Sequence, residues 1–401
     1  MKISKAVSAP ETKTILILLG CIAFSFMGAN VLIGQSLTSA GDPPLYFKYS
    51  SDILSGSIPY IGFQSVYPPI ALLYFTLPRV LFSNFDQYVY ALGWINLLVL
   101  FAISLVLFYL AKTLSKNSAD TSIAFFLLFM PLLPLSLVRF DLLPVMLTLL
   151  AVYLFLTKHE ITPWVVLGIA AMAKTYPIVL LPIFLIATLK NKSPKHAIKG
   201  LLAFAIAVFL IALPFLLLSP IEFLQSFMLH AERGIQIEST YSSIILAAKP
   251  IFNYPVSLVA NYNAAELVFP YSDVVSFLSP ILLAVILLLI YIQFYATYDG
   301  SRKKEDVLLR YTLLPILAFL VFYKVLSSQF LLWAIPFVPL VAIGSKKNTS
   351  LFHKIMIITV FLTFLVYPIG WDALLEFSYA AIVILFIRNL LLFISFYLLI
   401  R

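Results

Sequence analysis

Residues 87–112 read QYVYALGWINLLVLFAISLVLFYLAK, a stretch in which Lys112 is the first charged side chain. A helix of about 20 apolar residues crosses the roughly 30 Å hydrocarbon core of a bilayer, so this stretch predicts a transmembrane helix. Comparable apolar runs recur along the chain. We expect further spans at 13–36, 121–137, 142–157, 163–189, 200–218, 273–296, 308–325, 330–344, 354–371 and 378–400.

The composition agrees with this pattern. Of the 401 residues, 62% are hydrophobic and only 11% are charged, whereas about a quarter of the residues of a soluble chain are charged. The sequence therefore predicts an all-α polytopic membrane protein with about 10–12 transmembrane helices. The single cysteine, Cys21, excludes a disulfide framework and a thiolate metal site.

Basic residues are distributed unevenly between the two sides of the membrane. With the spans placed as above, 18 of the 26 Lys and Arg residues fall on one side with six acidic residues, and the other eight fall opposite with 11 acidic residues. Cytoplasmic loops carry such an excess of Lys and Arg. We therefore expect a protein of the cytoplasmic membrane whose N- and C-termini both lie on the cytoplasmic side. The net charge of +9 reflects this topology and does not indicate nucleic-acid binding.

Two long segments, 37–86 and 219–271, are expected on the outer side, where they would form the functional site of a single domain, 1–401. The first contains an apolar stretch, 68–82, with three prolines, which suits a juxtamembrane helix in the outer leaflet. The span at 163–189 is flanked by Lys158 and Lys190, so it must return to its starting side. Two short helices that meet near Pro177 satisfy this condition.

Several familiar sites are absent from the sequence. It has neither a GxGxxG nor a GxxxxGK[ST] motif, its four histidines are scattered, and no carboxylate cluster suggests a metal. We therefore expect no cofactor and no metal. The remaining candidates are ionisable residues within the membrane or at its outer boundary, where burial of charge is costly and is typical of functional sites.

Asp42 follows the first span and could act as a general base that deprotonates a hydroxyl nucleophile. Its alternative role is a helix cap, because proline follows it. Asp52 is the rival base, although an amphipathic helix would expose it to solvent.

Four cations are candidates for binding a phosphate. Arg139 could bind a lipid-linked phosphate through bidentate hydrogen bonds, or it could be a charged residue at the membrane–water interface. It should not pair with Asp141, two residues away, because the two side chains point to different helix faces. Lys174 lies in the middle of an apolar stretch, where it needs an anion or water. The other two are Arg233 and Lys324, and Lys324 could equally anchor the chain at headgroup depth, as could Gln329.

The segment 230–239 is dense in hydrogen-bonding groups, which fits a sugar or phosphate pocket, or else a solvated loop. His230 and Arg233 would share one helical face, and Glu238 lies further along. Tyr67 precedes two prolines in a rigid break that leads into an apolar helix.

Seven motifs follow one another along the chain: Asp42 with Tyr46, Leu54-x-Gly56-x-x-Pro59-Tyr60, Tyr67-Pro68-Pro69, Arg139-Phe140-Asp141-Leu142-Leu143-Pro144, Ala173-Lys174-x-Tyr176-Pro177, Arg233-Gly234-Ile235-Gln236-Ile237-Glu238-Ser239, and Lys324-Val325-Leu326-Ser327-Ser328-Gln329 with Trp333. In their order and spacing, these motifs resemble glycosyltransferase family 87 of the GT-C integral-membrane glycosyltransferases. This family includes mannosyltransferases and arabinofuranosyltransferases that use polyprenyl-phosphate sugars.

The resemblance implies a GT-C-like helical bundle and inverting transfer of a sugar, with mannose expected, from a polyprenyl-phosphate donor to a lipid or glycan hydroxyl. It makes Asp42 the catalytic base and assigns the phosphate to Arg139, Lys174, Arg233 and Lys324. Further substrate contacts are expected from Asp52, Tyr67, Asp141, His230, Glu238 and Gln329. Ser328 replaces the usual proline of the family pattern.

A transporter or flippase of a lipid-linked or anionic substrate is the alternative function, because an intramembrane lysine and a broken helical hairpin also occur in transporters. Transporters are expected to have a repeat between their halves and ionisable residues near the bilayer midplane. In this chain the polar residues favour the outer boundary, which favours the glycosyltransferase.

Overall fold

The structure is a computed structural model that describes residues 42–261, 264–299 and 304–401. The expected first span at 13–36 and Cys21 lie outside the described residues, as does the connection at 300–303.

The first half of the described chain is helical. Its helices are α1 (Asp42–Leu54), α2 (Pro69–Leu81), α3 (Phe85–Thr113), α4 (Ser118–Phe129), α5 (Leu133–Leu137), α6 (Leu142–Leu156), α7 (Thr162–Ala173), α8 (Leu181–Asn191) and α9 (Pro194–Leu218). Short 3₁₀ segments at Met130–Leu132 and Tyr176–Leu180 precede α5 and α8.

The second half adds one small sheet. Its elements are α10 (Pro220–Glu232), α11 (Thr240–Phe252), β1 (Ser257–Asn261), β2 (Ala264–Val268), α12 (Ser272–Thr297), α13 (Lys304–Phe322), α14 (Lys346–Phe364), α15 (Trp371–Leu375) and α16 (Tyr379–Ile400). Further turns are 3₁₀ at Ser328–Trp333 and Val338–Leu340, and π-helical at Leu365–Ile369.

Six helical stretches of the described residues are long and apolar enough to cross a membrane, and five shorter apolar stretches lie among them. This confirms the predicted polytopic all-α membrane fold. The six are Phe85–Thr113, Ser118–Leu137, Pro194–Leu218, Ser272–Thr297, Lys346–Ile369 and Tyr379–Ile400.

The helix boundaries have local causes. The side chain of Asn84 accepts from the backbone N–H groups of Asp86 and Gln87 and so caps α3, and Asn117 caps α4 in the same way. These contacts satisfy N–H groups that lack partners in the first helical turn. Such caps place the ends of the long helices where the apolar runs end.

The predicted break in 163–189 is confirmed. Helix α7 ends at Ala173, Lys174 has an extended backbone, and a 3₁₀ turn containing Pro177 leads into α8. The break therefore places the Lys174 side chain at the junction of two short helices.

The expected span at 330–344 is different in the structure. Instead of a continuous α-helix, the chain forms 3₁₀ turns at Ser328–Trp333 and Val338–Leu340. Pro336 and Pro339 explain the difference, because proline has no N–H to donate within a helix.

An aromatic cluster joins α1 and α2 to the loop before α6. Tyr46 is fully buried and stacks on Phe75 with ring centroids 4.0 Å apart. Phe140 meets both rings edge-on, at 5.9 Å and 5.2 Å. Because Phe140 is held in this cluster, its neighbours Arg139 and Asp141 are held beside α1.

The segment 219–271 contains structure that the sequence did not predict. Strands β1 and β2 pair antiparallel, with Val259 opposite Glu266. Gln236 forms a further antiparallel bridge with Glu266, so the chain before α11 adds a short extended edge to the hairpin.

Gly200 in α9 packs closely against Trp164, so we predict that a larger side chain at this position destabilises the protein. A Cβ atom there would lie 2.2 Å from Cε2 of the buried Trp164 ring, so Gly200→Ala should lower the free energy of unfolding by about 1–3 kcal/mol through overpacking. Gly93 in α3 is the matched control, since its nearest neighbour would be the Leu137 carbonyl at 3.9 Å. Thermal unfolding in detergent gives the melting temperatures of Gly200→Ala and Gly93→Ala. Equal melting temperatures for the two variants would contradict the packing of α9 on Trp164.

Candidate active site

A cavity of about 1110 Å³ opens between α1, the break after α7, the end of α10 and the hairpin. Most of the residues expected at the functional site line this cavity, although they come from distant parts of the chain. They are Asp42, Tyr67, Arg139, Lys174, His230, Arg233, Glu238 and Gln329.

Asp42 is held from two sides. It forms an ion pair with Arg139, and the Tyr46 hydroxyl donates to Asp42 Oδ2 over 3.1 Å. A second guanidinium nitrogen of Arg139 donates to the Tyr367 hydroxyl over 3.4 Å. The carboxylate side chain is 15% exposed, so it is oriented by its neighbours while still reaching the cavity.

Lys174 pairs with Asp141. Its ammonium lies 2.5 Å from Asp141 Oδ1, and the same oxygen accepts from the Trp333 indole N–H over 2.8 Å. Three rings surround the ammonium, with centroids at 4.8 Å for Phe140 and Phe330 and 5.0 Å for Trp333. As expected, Asp141 does not pair with Arg139; its role in the structure is to neutralise Lys174 from behind the cavity wall.

Arg233 differs from these two cations. It lies just after α10 and lines the cavity, and no carboxylate of the residues that the structure describes forms an ion pair with it. Its buried Nε atom has no hydrogen-bond partner there either. Arg233 is therefore a cation whose charge is available to an anionic ligand.

His230 and Lys324 support the wall around Arg233. Burial lowers the pKa of His230, and so do Arg233 and Lys174, while its hydrogen bond to the Val66 carbonyl raises it. The imidazole is therefore neutral at pH 7, and Nε2 donates to that carbonyl over 3.0 Å. Lys324 does not line the cavity; its ammonium donates to the Ala231 carbonyl over 2.7 Å and the Ser276 hydroxyl over 2.9 Å.

Asp52 lies outside this arrangement. It is half-buried near the end of α1 and does not line the cavity. Ten residues of helix separate it from Asp42, which corresponds to about 15 Å at about 1.5 Å per residue.

Sequence reasoning missed several residues of the site. Tyr367, Trp371 and Asp372 also line the cavity, and so does Gln236, which lies in the predicted segment 230–239 but was given no role of its own. Arg388, fully buried in α16, contacts Glu238 with its guanidinium. A signal for Arg388 was present, because a charged residue inside an apolar span is a functional candidate. Within the described ranges, no group of three or more His, Cys, Asp or Glu side chains could hold a metal ion.

Comparisons with known proteins identify the family. The chain is similar in structure to ArnT from Cupriavidus metallidurans bound to undecaprenyl phosphate, with 14% sequence identity and a TM-score of 0.49 over 94% of this chain and 76% of that one. No curated protein matches the sequence. The sequence profile of glycosyltransferase family 87 matches residues 66–322, which is more than half of the chain. The protein therefore belongs to glycosyltransferase family 87.

Proposed function

We propose that the protein transfers a mannosyl group from a polyprenyl-phosphate donor to a hydroxyl of a lipid or glycan acceptor, at the outer face of the cytoplasmic membrane. The observation that carries the proposal is that one cavity contains both Asp42, an oriented carboxylate, and Arg233, a cation. Arg233 has no carboxylate partner among the described residues. Transfer from a lipid phosphate to a hydroxyl needs one group of each kind.

The proposed reaction is a single displacement with inversion. Asp42 takes the proton of the acceptor hydroxyl, and the acceptor oxygen forms a bond to the anomeric carbon while the bond from that carbon to the phosphate oxygen breaks. The polyprenyl phosphate leaves with the electron pair of the broken bond. Arg233 stabilises the charge that develops on this leaving group.

Arg139 and Lys174 have a different part in this proposal. Each already contacts a carboxylate, so their charges are largely balanced within the protein. Arg139 orients the base, and Lys174 with Asp141 fixes the floor of the cavity next to Phe140. Both remain close enough to the cavity to contact a phosphate as secondary partners.

The membrane orientation is part of the same proposal. The excess of Lys and Arg predicted for one side suits cytoplasmic N- and C-termini, and two of the segments that line the cavity, 42–86 and 219–271, are expected on the opposite side. A lipid-linked donor would then enter the cavity from the outer leaflet.

Asp42→Asn tests the proposed base. It should lower kcat for transfer from polyprenyl-phosphate mannose to a membrane lipid extract by about 10²–10⁴-fold, because the amide cannot accept the proton. Asp86→Asn is the control, since Asp86 is exposed in the first turn of α3 and does not line the cavity. Melting temperatures show whether both variants fold. A folded Asp42→Asn enzyme with full activity would exclude Asp42 as the base.

Arg233→Gln tests the proposed phosphate contact. A charge-assisted hydrogen bond contributes about 1.5–3 kcal/mol, so KM for the lipid donor and Ki for free polyprenyl phosphate should both rise by roughly 10- to 100-fold. Arg79→Gln is the matched control, because Arg79 contacts Ser51 and the Phe47 ring outside the cavity. Unchanged inhibition by polyprenyl phosphate in Arg233→Gln would contradict the assignment.

A further inference from the structure

The cavity has a second polar region that the proposed chemistry at Asp42 and Arg233 does not use. It is formed by Gln236, Glu238 and Gln329, all of which line the cavity. All three side chains are nearly buried, with exposures of 5%, 2% and 9%. Buried polar groups are costly unless they are hydrogen-bonded, so their partners indicate what the region can bind.

Gln236 has a fixed backbone and an unsatisfied side chain. Its N–H donates to the Lys324 carbonyl over 3.0 Å, and its own carbonyl accepts from the Ser242 hydroxyl over 2.7 Å. On either side, Ile237 and Ile235 bond to the β2 residues Ala265 and Leu267. The side-chain oxygen of Gln236, however, is buried without a hydrogen-bond donor among the described residues, so it can accept from a ligand.

Glu238 is held by α16 and by the 3₁₀ turn at Ser328–Trp333. The Ser328 hydroxyl donates to Glu238 Oε2 over 2.5 Å. Arg388 Nη2 donates to the Glu238 carbonyl over 3.0 Å and lies 3.5 Å from Oε2. Asn389 donates to the carbonyls of Glu238 and Ser239 over 3.2 Å and 3.1 Å. These contacts fix the carboxylate in one orientation at the cavity wall.

Gln329 supplies the complementary group. Its side-chain oxygen accepts from the Ser327 hydroxyl over 2.7 Å, which leaves its amide N–H groups to serve a ligand. The region therefore presents a carboxylate, an amide oxygen and amide N–H donors. A hydroxyl group both donates and accepts, so it matches this set. A phosphate only accepts, and the Glu238 carboxylate would repel it.

We propose that Gln236, Glu238 and Gln329 form a subsite that binds the hydroxyl groups of a sugar ring, and that Arg388 is a positioning residue that holds the Glu238 carboxylate. The inference rests on the proposed function, because the sugar belongs either to the lipid-linked donor or to the acceptor. The subsite lies in the same cavity as Arg233 but discriminates between sugars rather than binding the phosphate.

Gln236→Leu tests the subsite through ligand binding. The probes are polyprenyl phosphate, the same lipid carrying mannose, glucose or arabinofuranose, and the octyl glycosides of these sugars, measured by calorimetry in detergent. The wild type should bind at least one sugar-bearing lipid about tenfold more tightly than the bare phosphate lipid, or bind one octyl glycoside. Gln236→Leu should lose most of this sugar-dependent binding and keep the affinity for bare polyprenyl phosphate.

The two sources of the sugar give different results. If Gln236→Leu loses binding to the lipid-linked sugars, the subsite belongs to the donor. If it loses binding to the octyl glycosides, the subsite belongs to the acceptor. Gln225→Leu is the control, because Gln225 is exposed on α10 and does not line the cavity. A wild type without sugar-dependent binding, or a Gln236→Leu variant that keeps all of it, would overturn the subsite. Failure of the wild type to bind bare polyprenyl phosphate would instead contradict the proposed function.

A double variant separates recognition from structural support. Arg388→Met should lower the melting temperature, because it leaves the buried Glu238 without its cation. Glu238→Met combined with Arg388→Met removes both charges and should recover much of the melting temperature but not the sugar-dependent binding. If the double variant recovers both the melting temperature and the sugar-dependent binding, the Glu238–Arg388 pair is only structural, and the proposed role of Glu238 in binding sugar is overturned.

Arg388→Lys tests the positioning role of Arg388. A weaker affinity for sugar with unchanged affinity for bare polyprenyl phosphate would support that role.

Discussion

Arg139 and Asp42 form an ion pair that joins helix α1 to the loop before α6, and the shape of the cavity depends on it. The aromatic cluster of Tyr46, Phe75 and Phe140 brings these two segments together, and the ion pair then neutralises a guanidinium that is almost fully buried. Because an unpaired buried charge is very costly, neither residue can be replaced without effects on the other. The proposed base is therefore oriented by the same contacts that stabilise the wall around it.

Three cations in or beside the cavity contact a carboxylate, whereas Lys324, which is buried, donates to the Ala231 carbonyl and the Ser276 hydroxyl. Arg139, Lys174 and Arg388 each contact a carboxylate, from Asp42, Asp141 and Glu238 respectively. Arg233 has no such partner in the described ranges. A phosphate ligand would complete this pattern, since it would supply the missing anion. Under the proposed function, the phosphate would bind at Arg233 and the hydroxyl groups of the sugar would bind at the region formed by Gln236, Glu238 and Gln329.

The membrane fold was largely predictable from the sequence, while the partners within the site were not. Long apolar runs predict helices by length alone, and Pro177 marked the break beside Lys174. Eight of the eleven residues expected at the site line the cavity, and most of them were recognised as polar side chains in costly positions. Pairings such as Glu238 with Arg388, however, join distant segments, and no local pattern encodes them. The pairing of β1 with β2 was missed because the strands are short, and the 330–344 stretch forms 3₁₀ turns rather than one continuous helix because it contains Pro336 and Pro339.

The most direct test of this account is a cryo-electron microscopy structure of the protein with bound polyprenyl phosphate. The account predicts that the phosphate lies within hydrogen-bonding distance of the Arg233 guanidinium, in the same cavity as the Asp42 carboxylate, and that the Asp141–Lys174 and Glu238–Arg388 pairs remain intact. A phosphate bound outside this cavity, or at Lys324 with Arg233 unengaged, would contradict it.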